Sequence, residues 1–181
     1  MAQISRKGYA QVEPNHLSAQ KTGQIYAQLP AMGGNNHATP IAHLEQGQFL
    51  KYNYAANCAS LDGDGEYMLV YCEEKLYDER DQMHKDFCLN AADFTDGKIY
   101  PRLFKTNVGD IYTTNAFGGA ASSNTASVAG IALAEGNKLE VDSATGYLKA
   151  AGNTPAAPVF QVVKVYTMPD GQPGVKIQRI E

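Results

Sequence analysis

Tryptophan is absent from this sequence of 181 residues, and tyrosine, with 11 copies, outnumbers phenylalanine, with 6. A core therefore has to be built mainly from valine, isoleucine, leucine and tyrosine. No apolar run approaches the roughly 20 residues of a membrane-spanning helix, and none follows Arg6 and Lys7 as a secretory signal requires. We expect a protein that is made and assembled in a cytoplasm, with one domain and an arm or two very small domains.

An excess of basic residues is also lacking, since the net charge is −4. This argues against a nucleic-acid partner. Residues 61–96 hold eleven acidic residues against three basic ones, a local net charge of −8, which predicts a solvated rim or a docking face for something basic. Three cysteines, Cys58, Cys72 and Cys88, show no zinc-type spacing, so we expect free thiols and no metal.

Catalytic motifs are missing as well. The sequence has no G-x-S-x-G nucleophile elbow, and its glycine pairs lack a phosphate-loop context. The run Asp62-Gly63-Asp64-Gly65-Glu66 resembles the start of a calcium loop, but Tyr67 occupies the position where an EF-hand needs glycine. An acidic β-turn is the favoured interpretation, with a weak calcium site as the alternative. The prediction is a protein that is not an enzyme and needs no cofactor.

Short runs with strand periodicity recur about every ten residues, separated by turns rich in glycine, asparagine and aspartate. The pattern predicts a mainly β fold, a small barrel or sandwich of short antiparallel strands. Strands are predicted near 48–54, 66–74, 98–106, 110–115, 128–134, 138–142, 147–150 and 159–168, with a hairpin through 169–171 to a return strand near 175–180. The unbroken apolar centre of 66–74 indicates burial on both faces. Residues 75–92 fit either a short helix or a loop.

Residues 1–45 keep no helical or strand period for more than a few positions. They are interpreted as an extended N-terminal arm that precedes a β-rich, barrel-like domain at 46–181. Such an arm can order against a neighbouring subunit, and plain disorder of a terminus is the alternative. The predicted partner-contact residues of the arm are Arg6, Lys7, Tyr9, Tyr26 and Leu29.

Four segments carry a resemblance to a known family: 100–105 (YPRLFK), 108–115 (VGDIYTTN), 136–139 (GNKL) and 159–178 (VFQVVKVYTMPDGQPGVKIQ). In style and order they resemble the small head decoration, or capsid cement, proteins of tailed bacteriophages. The resemblance covers about residues 47–180 and transfers no catalytic or ligand residue. It implies a β-rich fold present in many copies on the outside of a capsid. The acidic segment 61–96 departs from the pattern, and an insertion is the hypothesis that fits it.

The function expected from this resemblance is that of a structural virion protein, which stabilises the shell by bridging subunits of the major capsid protein. Its partners would be that protein and copies of itself, either as trimers at three-fold positions or as monomers on capsomers. The alternative is a receptor-binding, glycan-binding or fibre-anchoring module of a phage head or tail, using loops such as 116–127.

Overall fold

The computed structural model describes residues 3–5, 10, 12–16, 29–71, 77–78, 83–84, 88–117, 127–168, 171 and 173–181. Within these ranges the fold is mainly β, as predicted, and contains no α-helix. Two single 3-10 turns lie at Asn35–His37 and Ala91–Asp93. The strands, in chain order, are β1 (Gln3–Ser5), β2 (Val12–His16), β3 (Met32–Gly33), β4 (Thr39–Pro40), β5 (His43–Glu45), β6 (Phe49–Asn53), β7 (Cys58–Ser60), β8 (Tyr67–Val70), β9 (Tyr77–Asp78), β10 (Met83–His84), β11 (Cys88–Asn90), β12 (Leu103–Phe104), β13 (Ile111–Thr114), β14 (Ser127–Ala132), β15 (Lys138–Val141), β16 (Leu148–Ala150), β17 (Phe160–Thr167) and β18 (Pro173–Arg179).

The larger sheet is antiparallel and has the strand order β16-β15-β17-β18-β13-β2. It curls into a half-barrel. The segment that follows β13 returns to the far edge, where Phe117 forms a parallel bridge with Leu148 and the amide of Leu148 donates to the carbonyl of Ala116 at 3.1 Å. This contact covers the β16 edge, which would otherwise present unpaired backbone groups.

The smaller sheet, β12-β8-β6-β7, lies between two hydrophobic cores. Successive side chains of a strand point to opposite faces, and all four residues of β8 are buried. Tyr67 and Leu69 enter the first core, whereas Met68 and Val70 enter the second. The predicted burial of this strand on both faces is therefore confirmed.

The first core fills the space between the half-barrel and one face of the smaller sheet. Its buried residues are Val12, Phe49, Tyr67, Leu69, Tyr71, Phe104, Tyr112, Phe117, Leu133, Leu139, Val141, Leu148, Phe160, Val162, Val175 and Ile177. The second core lies on the opposite face, and its buried residues are Ala31, Leu44, Leu50, Ala59, Met68, Val70, Ile99 and Leu103. Two segments without long strands cover this second core, 29–45 and 89–103.

Two glycines hold the sheets close together. Gly146 has φ +75°, and a Cβ there would lie 2.5 Å from the carbonyl oxygen of Phe49, while its own carbonyl accepts from the amide of Phe49 at 2.7 Å. Gly47 has φ +87°, and a Cβ there would lie 2.7 Å from the Cβ of Ala116. Only glycine adopts such a backbone readily and also leaves this space empty.

Most of the predicted strands are present. β6, β8, β13, β15, β16 and β17 fall within the predicted runs, and β14 overlaps its run but begins one residue earlier, at Ser127. β17 pairs with β18 as the predicted hairpin. The strand predicted over 98–106 is wrong except at β12, and Ile99, which is buried in the second core, lies in irregular backbone. Within 75–92, the described residues include three short strands and the start of a 3-10 turn, not an α-helix.

Short strands also occur in residues 1–45, where the sequence shows no strand period. β2 forms the edge of the half-barrel beside β13, and β5 pairs with β11. Val12 and Ala31 are buried in the first and second cores. Backbone pairing of this kind needs no alternating side chains, so periodicity does not reveal it. The division of the chain into an arm and a domain at residue 46 stays a prediction.

Candidate functional site

Four of the five predicted partner-contact residues, Arg6, Lys7, Tyr9 and Tyr26, lie outside the described residues. The fifth, Leu29, is half-buried and precedes Pro30, whose carbonyl accepts from the amide of Ala59 at 2.9 Å. The alternative glycan-binding loop at 116–127 also lies mostly outside the described ranges. Their roles as contacts stay predictions.

The outer face of the half-barrel carries a lysine pair, Lys164 of β17 and Lys176 of β18. These residues are directly opposite each other in the antiparallel register. The register shifts between Val162 and Lys164, and this bulge leaves both Val163 and Lys164 exposed. Bulges of this kind re-aim side chains.

Neither member of the lysine pair forms an ion pair within the described part of the chain. Like charges directly opposite each other on neighbouring strands destabilise a sheet. An acidic group placed over the two ammonium groups would remove this repulsion. The lysine pair is therefore a candidate contact for an acidic partner surface, with Val163, 43% exposed, as an apolar neighbour.

Two carboxylates of the acidic turn after β7, those of Asp62 and Glu66, contact side chains of the chain itself. Glu66 lies 3.1 Å from the Nζ of Lys105 and 3.9 Å from a guanidinium nitrogen of Arg179. Asp62 lies 2.9 Å from the Nε2 of His37. No three potential metal ligands cluster among the residues that the structure describes. The choice between an acidic turn and a weak calcium site stays a prediction.

His37 lies where three turns converge: the first 3-10 turn, the end of the β6–β7 hairpin and the turn after β7. Its Nε2 is 2.9 Å from Asp62 Oδ1 and 3.3 Å from Asn53 Nδ2. The amide of Ala56 donates to Asn53 Oδ1 at 2.9 Å, which fixes the orientation of the Asn53 side chain. An Nε2–H group that donates to Asp62 is the tautomer that suits the shorter contact.

The histidine and aspartate, with Cys58 and Ser60 nearby, resemble parts of a catalytic triad. Both candidate nucleophiles are buried, however, and burial together with the negative charge of Asp62 raises the pKa of the Cys58 thiol. A thiol activated for attack has a lowered pKa and some exposure. The hydrogen bond from His37 lowers the pKa of Asp62, so the arrangement stabilises a carboxylate and does not activate a nucleophile.

A second feature of the same hairpin is a tyrosine platform, formed by Tyr52 and Tyr54. Their ring centroids are 4.4 Å apart with an interplanar angle of 35°. Tyr52 packs partly into the second core, and its hydroxyl donates to Asn57 Oδ1 at 3.3 Å. Tyr54 is 60% exposed at the tip. Tyr52 therefore anchors the base of the platform.

The turns that converge at His37 also contain residues with unusual backbone dihedral angles. Within the described residues, the non-glycine residues with positive φ are Asn36, His37 and Asn57, at 59°, 55° and 49°. All three belong to the converging turns. The backbone energy that such conformations cost is commonly found at functional sites.

Sequence reasoning identified neither the lysine pair nor the tyrosine platform as a candidate site. The alternation of Tyr52 and Tyr54 was visible, but the hairpin tip that exposes Tyr54 was not. The juxtaposition of Lys164 with Lys176 depends on the register and the bulge, which the hairpin turn alone does not specify.

Comparison with protein-family models, with curated proteins and with solved structures finds no match for this chain. Among the described residues, no helix is both long and apolar enough to span a membrane.

Proposed function

We propose that this chain is a capsid-bound auxiliary protein of a tailed bacteriophage, which stabilises the shell by bridging capsid subunits. One observation carries the proposal. Three of the four segments that resemble decoration proteins converge in space, because 108–115, 136–139 and 159–178 contribute to β13, β15, β17 and β18, all in the half-barrel. The fourth, 100–105, contributes β12 to the smaller sheet, where it pairs with β8 of the acidic segment.

The contact with the capsid is assigned to the outer face of the half-barrel. Lys164 and Lys176 supply a positive charge that would attract an acidic capsid surface and set the orientation of docking. Each contact is modest, but repetition over a lattice increases the total stability through avidity. Apolar residues at separate turns, such as Val108 at 68% exposure, are available for further contacts.

The first experiment measures copy number. Particles of the phage that encodes the chain are purified and washed, and the ratio of the chain to the major capsid protein is determined by quantitative mass spectrometry. A ratio near one chain per capsid subunit, or one trimer per three-fold position, is expected. Absence from washed particles, or only a few copies per particle, would refute the proposal.

The second experiment tests the contact face. Capsids that lack the chain are mixed with the wild-type protein, with the Lys164→Glu/Lys176→Glu double variant, and with Lys98→Glu as a charge-reversal control near the second core. The double variant should bind about tenfold more weakly, most clearly at low salt, while Lys98→Glu binds as the wild type does. Equal binding by all three proteins would show that the lysine pair is not the contact.

A further inference from the structure

One edge of β17 in the half-barrel is only partly covered. β15 pairs with the first two residues of β17. The turn before β15 extends the contact by one residue, because the amide of Val162 donates to the carbonyl of Asn137 and the amide of Gly136 donates to the carbonyl of Val162, both at 2.8 Å. β17 then continues through 163–167, where its only paired neighbour in the described part of the chain is β18. An open strand edge therefore lies beside the lysine pair.

The backbone of this edge offers hydrogen-bonding groups. Residues of an antiparallel pair alternate between hydrogen-bonded and non-hydrogen-bonded positions. Thr167 lies opposite Pro173, which has no N–H group, so this pair is of the second kind. Val165 and Val175 form the same kind of pair two residues earlier in β17. The N–H and C=O groups of Val165 and Thr167 therefore point away from β18, toward the open edge, and such a row is a template for another strand.

Side chains along the edge determine which residues an added strand can carry. The bulge leaves Val163 and Lys164 exposed, and Lys164 lies on the outer face opposite Lys176. Val165 packs partly against the first core. Side chains on the same face of neighbouring strands contact each other. An added strand therefore complements this edge when its outer face is acidic and an apolar residue between the acidic ones covers Val165.

We propose that the open edge of β17 binds an extended segment of a partner protein as an added β-strand, in which aspartate or glutamate alternates with apolar residues. The inference rests on the proposed function, since it specifies how the contact face holds an acidic capsid segment. Main-chain hydrogen bonds supply the affinity, and pairing of alternate side chains supplies the specificity. The lysine pair attracts the acidic side chains and sets the register of the added strand.

The lysine pair also disfavours other occupants of the edge. A second copy of the chain that paired through the same edge would bring its own Lys164 and Lys176, and like charges on neighbouring strands repel each other. Lysines and bulges protect strand edges against such self-pairing in many proteins. Nucleic acid carries negative charge, but it has no alternating N–H and C=O groups with which to extend the sheet. A protein segment of opposite charge meets both requirements.

The isolated full-length chain tests the inference without any capsid. Three end-blocked peptides, each about six residues long, are titrated against it. The first alternates glutamate with valine, the second has lysine in place of glutamate, and the third is the first peptide N-methylated at every residue. The methylated peptide keeps its charge but cannot donate backbone hydrogen bonds to β17. Amide chemical shifts and hydrogen exchange of Val165 and Thr167 report strand addition.

A pair of variants at one exposed position tests the role of the backbone. Thr167→Pro removes an N–H group from the open edge, and it leaves the pairing with β18 intact because that group does not face β18. Thr167→Ala is the matched control, since it removes the same exposed side chain but keeps the N–H group. Thermal unfolding verifies that both variants are folded.

The glutamate–valine peptide is expected to bind the wild type and Thr167→Ala equally, and to bind Thr167→Pro about tenfold more weakly. The lysine peptide and the methylated peptide should bind the wild type at least about tenfold more weakly than the glutamate–valine peptide does. The inference is overturned if the glutamate–valine peptide does not bind, or if the methylated peptide binds equally well, since charge alone then explains binding.

Sedimentation of the chain without peptide tests the competing occupant. A monomer at the concentrations of the titration is expected. Dimerisation that Thr167→Pro abolishes and Thr167→Ala does not would overturn the inference, in favour of a second copy at this edge. None of these results alters the copy number in phage particles, so the inference and the proposed function fail independently.

Discussion

The two cores on either side of the smaller sheet differ in the types of residue that they contain. The first contains clustered aromatic rings, with Phe160 5.6 Å from Phe49 and 5.9 Å from Tyr112 between ring centroids. The buried residues of the second are aliphatic side chains, one methionine and two alanines, and these alanines, Ala31 and Ala59, let two backbones approach as a parallel bridge. Large rings fill the concave half-barrel, whereas small side chains permit a thin cover of irregular segments. Disruption of the first core should therefore destabilise the whole molecule. Disruption of the second should destabilise mainly 29–45 and 89–103, the segments that cover it.

The largest effect is expected from Phe160→Ala. This substitution removes the ring that joins Phe49 to Tyr112 across the first core, and the free energy of unfolding should fall by about 4 kcal/mol. Hydrogen exchange should accelerate in both the half-barrel and the smaller sheet, since both sheets contribute to this core. Denaturant unfolding gives the magnitude. An exchange increase limited to β17 would contradict the assignment.

A smaller and more local effect is expected from Leu44→Ala in the second core. The free energy of unfolding should fall by about 3 kcal/mol. Hydrogen exchange should accelerate mainly in 29–45 and 89–103, because these segments cover the second core. If β13, β17 and β18 lose protection to the same degree, the two cores do not differ in the way proposed.

Tyr112→Phe should make the first core more stable. The Tyr112 hydroxyl is buried without a hydrogen-bond partner among the described residues, and burial raises the pKa of this phenol well above its ordinary value. Removing an unpartnered buried hydroxyl should stabilise the fold by about 1 kcal/mol. Thermal unfolding of the variant checks the sign. A loss of stability would indicate that the hydroxyl has a partner that the described residues do not include.

The smallest effect concerns pH and the turn beside the second core. The pKa of Asp62 is lowered from 3.8, chiefly by its hydrogen bond to His37. A carboxyl group whose folded pKa is depressed contributes stability that is present above its unfolded pKa and lost as the pH falls through the folded value. The advantage of the wild type over Asp62→Asn should therefore disappear in the acid range, below 3.8.

Melting curves of both proteins from about pH 6 down to about pH 2.5 test this prediction. The effect should be modest, because Asp62 is 71% exposed and solvent screens it. Asp96 provides a control, since its lowered pKa arises from Tyr100 in another loop and should not respond to Asp62→Asn. An Asp62→Asn difference that grows toward low pH would contradict the assignment.

The sequence predicted the parts of the fold that local patterns encode. The alternating run through β17 and the Pro169-Asp170-Gly171 turn predicted the terminal hairpin, and the apolar run of β8 predicted burial on both faces. Non-local pairings were not predictable, because β2 and β5 pair through backbone groups in segments without periodicity.

The candidate sites were less predictable than the fold. No pattern in the sequence indicated that Lys164 would lie opposite Lys176, because a bulge of one residue decides that pairing. The sequence contains both tyrosines of the platform, but it did not indicate that Tyr52 is anchored and that Tyr54 is exposed. The contact between His37 and Asp62 joins residues that are 25 positions apart in the sequence. Only the folded structure shows that these residues meet.

β8 supplies alternate side chains to both cores, so neither core is complete without this strand. Deletion of 61–96 would remove buried residues from both cores. The first core would lose Tyr67, Leu69 and Tyr71, and the second core would lose Met68 and Val70. Transfer of the half-barrel to another scaffold would therefore require β8 to be transferred as well.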